Sequence, residues 1–128
     1  MDTHCLCWWV DGGQELSNAA AAAIAAEGSD GDILISSITA WEIAMLVARG
    51  RLRLSMDTGA WLAVVEEIRA VSVVSVDNAI AVAAVALPGE FHKDPADRMI
   101  VATARKFGVP IVTADEKIRN YAHVRTIW

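Results

Sequence analysis

Four carboxylates of this 128-residue chain stand where acids can do chemistry: Asp2, Glu42, Asp97 and Asp115. Asp97 belongs to the run His92-Lys93-Asp94-Pro95-Ala96-Asp97-Arg98, which reads as a helix start. Asp94 is a good N-cap, and Pro95 falls at the first helical position, where its missing N–H does no harm. Asp97 then sits three residues past the cap, among the free N–H groups of the first turn. Ile100, Val101 and Ala104 follow at helical spacing and predict a buried stripe. On these residues alone, Asp97 is explained equally well as a helix-end acid and as part of a site.

The elements around the acids decide whether they meet. Helices are predicted near the N-terminus (Leu6, Trp9, Val10), over 18–27, 39–48, 59–69 and 78–87, from Pro95 to about Phe107, and over 116–121. Between them lie short apolar runs that read as strands, at 32–36, 71–76, 109–113 and 124–128. Stops fall at Asp11-Gly12-Gly13, Gly28-Ser29-Asp30-Gly31, Gly50 and Gly108. Strand and helix alternate, so the fold class is α/β with a mostly parallel sheet covered on both faces. Ligands of such sheets bind beyond the carboxyl ends of the strands. Asp115 follows a strand, and Asp2 follows what remains of one. Glu42 and Asp97 are placed in the first turns of helices, at the same rim. The four acids are therefore expected on one edge.

Carboxylates crowded together raise one another's pKa unless a cation neutralises them. Hard divalent ions such as Mg²⁺ or Mn²⁺ prefer oxygen ligands. An ion held by several acids, with water left in its shell, activates that water and stabilises charge on a phosphoryl group. That chemistry is phosphodiester hydrolysis. Each acid also has a plain capping or dipole explanation.

Composition narrows the alternatives. Hydrophobic residues make up 55% of the chain, enough for a proper core in one domain spanning 1–128. No run of about 18 apolar residues is present, and no basic leader with a small-residue cleavage site opens the chain, so a cytoplasmic protein is expected. Cys5 and Cys7 lack the spacing of a redox pair or a zinc site and read as two buried thiols. The net charge of −5 argues against broad electrostatic binding to nucleic acid without excluding it. The basic residues Arg49, Arg51 and Arg53 cluster and fit either a solvated face or a track for an RNA backbone. Trp8, Trp9, Trp41 and Trp61 read as core, and the helix over 78–87 as closely packed.

Asp2-Thr3-His4, Trp41-Glu42-Ile43-Ala44, the block from His92 to Ala104 and Val112-Thr113-Ala114-Asp115 occur in an order that resembles PIN domains. The resemblance is greatest to the VapC-type toxins of toxin–antitoxin pairs, and it covers nearly the whole chain. The Asp-Pro-x-Asp-Arg block followed by Ala-Thr-Ala and then Thr-x-Asp is specific in combination, and Arg49-Gly50-Arg51-Leu52 also fits. The resemblance implies a three-layer α/β/α sandwich, a homodimer, and an endoribonuclease dependent on magnesium or manganese. It implies as well a cognate antitoxin whose tail enters the active site. Carried over by position, Asp2, Glu42, Asp97 and Asp115 would hold the metal. Thr113 would support the last acid by hydrogen bonding, and Asp94 would act behind them, chiefly as a cap. Arg98 fits a contact to RNA or antitoxin, or a surface ion pair.

One departure matters. The family has several apolar residues ahead of the first acid, forming a central strand, and here only Met1 precedes Asp2. The first strand is therefore expected to be truncated, with a gap in the sheet, or else to begin further upstream. An apolar N-terminal extension is expected to raise stability and metal affinity. The rival to catalysis is a non-catalytic PIN-like module that binds an antitoxin or RNA. A phosphotransferase of the haloacid dehalogenase type is disfavoured, because it needs Asp-x-Asp and position 4 is His. For a ribonuclease with this acidic balance the expected substrate is a structured or tightly selected RNA. Indiscriminate degradation of a random RNA pool at physiological salt would contradict that expectation.

Overall fold

The computed structural model describes residues 1–28 and 32–128; the part of the predicted stop from Ser29 to Gly31 lies outside them. In order, the elements are α1 (Thr3–Val10), α2 (Asn18–Glu27), β1 (Ile33–Ser36), α3 (Ile38–Ala48), α4 (Thr58–Glu66), β2 (Val71–Val74), α5 (Asn78–Val85), α6 (Pro95–Phe107), β3 (Ile111–Val112), α7 (Glu116–Arg119) and β4 (Thr126–Ile127).

Side-chain caps set the helix starts. Ser17, Asp57 and Asp77 accept from the N–H groups of Ala20, Ala60 and Ile80. Asp94 accepts from both Ala96 and Asp97, with Pro95 opening α6. At the other end of α6, Gly108 takes φ 66°, a left-handed conformation that side chains disfavour, and closes the helix.

The strands pair in parallel. β1 lies beside β2 in the register Ile33↔Val71 to Ser36↔Val74. β3 lies beside β4, with Ile111↔Thr126 and Val112↔Ile127. Among the described residues there are two two-stranded sheets, divided where the truncated first strand was expected to leave a gap. The reason is local. Only Met1 and Asp2 run between β1 and β3, and the chain turns into α1 at Thr3. The Met1 amino group donates to the Leu34 carbonyl at 3.0 Å, and the Asp2 N–H donates to the Val112 carbonyl at 3.1 Å.

The core divides in the same way. One cluster gathers Ile80, Ile100, Val101, Ile111, Ile118 and Tyr121 around β3 and α6. The other gathers Leu6, Ile24, Ile33, Ile35, Ile43, Trp61 and Val65 around β1. Cys5 and Cys7 are buried free thiols, and burial pushes both pKa values up to about 12. Two packing expectations need correction. Trp61 is core, but Trp8 and Trp9 are half-buried and Trp41 is 52% exposed. In α5 only Ile80 and Ala84 are buried, while Val82 and Val85 face outward. An all-apolar helix carries no polar face in its sequence to show which side meets solvent. Among the described residues no helix is long and apolar enough to cross a membrane.

Leu6 is fully buried. Leu6→Ala is expected to lower stability by about 2–5 kcal/mol in denaturant unfolding, from lost transfer energy and the cavity left behind. Val85→Ala, at a residue 81% exposed, is expected to stay within about 0.5 kcal/mol.

Candidate active site

Asp2 is buried at the start of α1. Its Oδ1 accepts from the Cys5 N–H at 2.9 Å and so caps the helix. Its Oδ2 accepts from the hydroxyl of Thr113, a residue with no exposed surface. A buried carboxylate is tolerated because both oxygens are bonded. The Thr113 oxygen in turn accepts from the Asp115 N–H at 3.0 Å. Thr113 thus bonds the Asp115 backbone as well as the Asp2 carboxylate. Asp115 caps α7 by accepting from the Lys117 N–H at 2.7 Å.

Glu42 is not in the first turn of its helix, contrary to expectation. α3 begins at Ile38, one residue earlier than the sequence suggested, so Glu42 lies one turn in. A dipole role for it therefore falls away. Its Oε2 accepts from the Thr3 hydroxyl. Burial pushes the Glu42 carboxyl above its usual pKa, and the Thr3 hydrogen bond partly offsets that. Thr3 is a contributor that sequence reasoning did not single out. The available signal was a hydroxyl residue immediately after an N-cap acid, buried on the first turn of an apolar helix.

Asp97 is the most perturbed carboxylate. Its pKa is pushed up to about 7, first by burial and then by the charges of Asp94, Glu42, Asp115 and Asp2. The structure therefore gathers the four expected acids, with Asp94, into one electrostatic neighbourhood. Among the described residues no Lys or Arg forms an ion pair with any of them; His92 Nε2 lies 3.3 Å from Asp97 Oδ2. That approach is not an aligned hydrogen bond, and the buried Nε2 has no other partner.

Arg98 corrects an expectation. It forms no surface ion pair among the described residues. Its Nε donates to Ala84 O at 2.8 Å, its Nη1 to Phe91 O and His92 O at 3.1 Å, and its Nη2 to Val85 O at 3.1 Å. The guanidinium fork is spent on the end of α5 and the turn into α6, so it is not free to meet RNA or an antitoxin. Arg49, Arg51 and Arg53 are exposed, while Leu52 and Leu54 between them pack inward, as the alternation predicted.

The donor set fits a hard divalent cation in chemistry and in charge. It is all oxygen, and burial together with the charges of the neighbouring acids pushes the Asp97 pKa up to about 7. It is not a closed cage: among the described residues no three Asp, Glu, His or Cys side chains form a preassembled metal-binding group.

The raised pKa of Asp97 has a sign. The folded state binds this proton more tightly than the unfolded state, so the penalty is absent below the unfolded value near 3.8 and complete above about 7. Without divalent ions, stability should fall as pH rises through that window. Asp97→Asn removes the penalty. Its melting temperature is expected to exceed that of the unaltered protein at pH 8 and to match it near pH 4, by thermal unfolding in EDTA.

Comparison with known proteins agrees with this architecture. The PIN domain family profile matches residues 1–124. A Mycobacterium tuberculosis protein named ribonuclease VapC22 is 38% identical over 130 residues, spanning all of this chain and 96% of that protein. A crystal structure of VapBC2 from Rickettsia felis, bound to a DNA fragment from its promoter, contains a chain of the same fold. The TM-score is 0.69 at 13% identity, with 98% of this chain and 93% of that one covered. The match along nearly the whole length, over the segments that carry Asp2, Glu42, Asp97 and Asp115, makes this chain a member of the PIN domain family.

Proposed function

We propose that this protein is an endoribonuclease dependent on Mg²⁺ or Mn²⁺, the toxin of a toxin–antitoxin pair, with Asp2, Glu42, Asp97 and Asp115 as its metal-binding acids. The observation that carries this reading is the unneutralised carboxylate group around Asp97. The printed name of the 38% identical relative supports RNA as the substrate, and that of the VapBC2 structure supports an antitoxin as partner. A homodimer and a single three-layer α/β/α domain over 1–128 belong to the same proposal.

The residues divide the work. Asp2 is held rigid by the Cys5 N–H and the Thr113 hydroxyl, so it is a fixed anchor. Glu42, steadied by Thr3, and Asp97, beside His92, are the adjustable acids. Asp115 is oriented through Thr113. Asp94 fixes the first turn of α6 and adds negative charge behind Asp97. The bound divalent ion would supply Lewis acidity and an activated water for phosphodiester hydrolysis. Arg49 and Arg51 are free to follow the RNA backbone or to meet the antitoxin.

A second reading, a non-catalytic module that binds RNA or an antitoxin, draws on the absence of a preassembled ligand group among the described residues. One experiment separates the two. Purified protein is assayed on RNA with Mg²⁺ or Mn²⁺, beside Asp97→Asn and an EDTA control. Cleavage abolished by EDTA and reduced about 100-fold or more by Asp97→Asn is expected. A folded protein that neither cleaves nor binds metal by calorimetry would support the non-catalytic module.

A further inference from the structure

Three aromatic rings stand in a row beside the acid edge. His4 and Trp8 lie four residues apart on α1 and so share one face of that helix. Their ring centroids are 6.1 Å apart. Trp128 follows β4, and its ring centroid lies 5.9 Å from that of Trp8. Both ends of the row are tied to the acids. His4 follows Thr3, whose hydroxyl bonds Glu42. The pairing Val112↔Ile127, carried on by one residue, sets Trp128 beside Thr113, which bonds Asp2 and the Asp115 backbone. Because β3 and β4 are parallel, both end on the side of the acids.

The core does not use these rings. His4 is exposed, and Trp8 and Trp128 keep part of their surface in solvent. Trp9, the next residue along, packs against the β1 cluster, whereas Trp8 and Trp128 belong to neither cluster. The rings of the two pairs are inclined by 47° and 46°, so they do not lie face to face and cover one another. What such a row can hold follows from its surroundings. The chain carries a net charge of −5, and the groups beside the row, Glu42 among them, are acids. A polyanion arriving here needs an attraction that does not depend on charge. A nucleobase supplies one, because every base has a π-face that stacks on Trp or His. In a duplex those faces are covered by neighbouring bases, so only an unpaired nucleotide can use the row.

We propose that His4, Trp8 and Trp128 form a stacking subsite for an unpaired nucleobase of an RNA strand whose phosphate lies at the acid edge. The subsite rests on the nuclease reading above and narrows its substrate to single strands and loops. Trp8 is the central ring, within reach of both others, and carries the stack. His4 and Trp128 flank it on the sides of Glu42 and Thr113. Stacking supplies the hold that the acidic balance of the chain withholds. It tolerates any base and favours the larger face of a purine.

The test measures binding of fluorescent RNAs of about 12 nucleotides, with Ca²⁺ in place of Mg²⁺ and the RNA checked on a gel for cleavage. The probes are an oligoadenylate, the same backbone carrying abasic riboses, and a duplex of equal length. The unaltered protein is expected to bind the oligoadenylate at least about 5-fold more tightly than the abasic strand or the duplex. Trp8→Leu is expected to erase that preference and Trp8→Phe to keep most of it. The loss in Trp8→Leu is expected to be equal at about 50 and 200 mM salt, because no charge is removed. Equal binding of oligoadenylate and abasic strand by the unaltered protein overturns the subsite, and this comparison needs no variant to fold. A folded Trp8→Leu that keeps the preference also overturns it. The nuclease reading fails separately: a protein that prefers the oligoadenylate in this way, yet cleaves no RNA with Mg²⁺ or Mn²⁺, keeps the subsite and loses the enzyme.

Discussion

The acid-rich edge depends on one buried contact, the Thr113 hydroxyl donating to the Asp2 carboxylate. A threonine hydroxyl has one proton to give and can still accept. Thr113 does both, giving to Asp2 and accepting from the Asp115 N–H. The second Asp2 oxygen holds the first turn of α1. The start of one helix, the end of one strand and the turn into another helix thus meet at a few atoms. Losing the hydroxyl would leave a buried carboxylate half-satisfied, and such groups are costly wherever water cannot reach them.

The acids at this edge are managed in different ways. Asp2 is bonded through both oxygens. Asp115 and Asp94 point into helix N-termini, where backbone N–H groups meet them. Glu42 has one hydroxyl donor. Asp97 is left with the His92 approach and the repulsion of the rest. The electrostatic burden therefore collects on one side chain, which sits on the long helix α6 and is held in place by its packing. Concentrating strain on a rigidly mounted group is a common arrangement at functional sites.

The helices were legible in the sequence because their signals are local. Ser17, Asp77 and Asp94 announce starts, and Gly108 announces a stop, within a few residues of what they control. The sheet was legible strand by strand, and the gap in it from the single residue ahead of Asp2, but the order in which the strands pair was not. The four acids were found through their places at element ends and the resemblance. Their individual roles were not. Glu42 was misplaced by a one-residue error in a helix start, where Ser37 gives no side-chain cap to mark it. Arg98 was misjudged because its partners are carbonyls 6 to 14 residues away along the chain, and backbone acceptors leave no trace in side-chain chemistry. The outward faces of Trp41 and Val85 were hidden for a related reason: solvent exposure is decided by neighbours from other elements.

The partners in the Asp2–Thr113 contact are 111 positions apart. During synthesis at about 5–20 residues per second, the second partner is made roughly 6–22 s after the first. Through that interval the growing polypeptide carries Asp2, Glu42 and Asp97 without the clasp that orients them. A loop of this length also closes slowly, because its entropy must be surrendered before the contact rewards it. The clasp is thus a timer as well as a tie: the acid edge can be assembled only after Thr113 has been made.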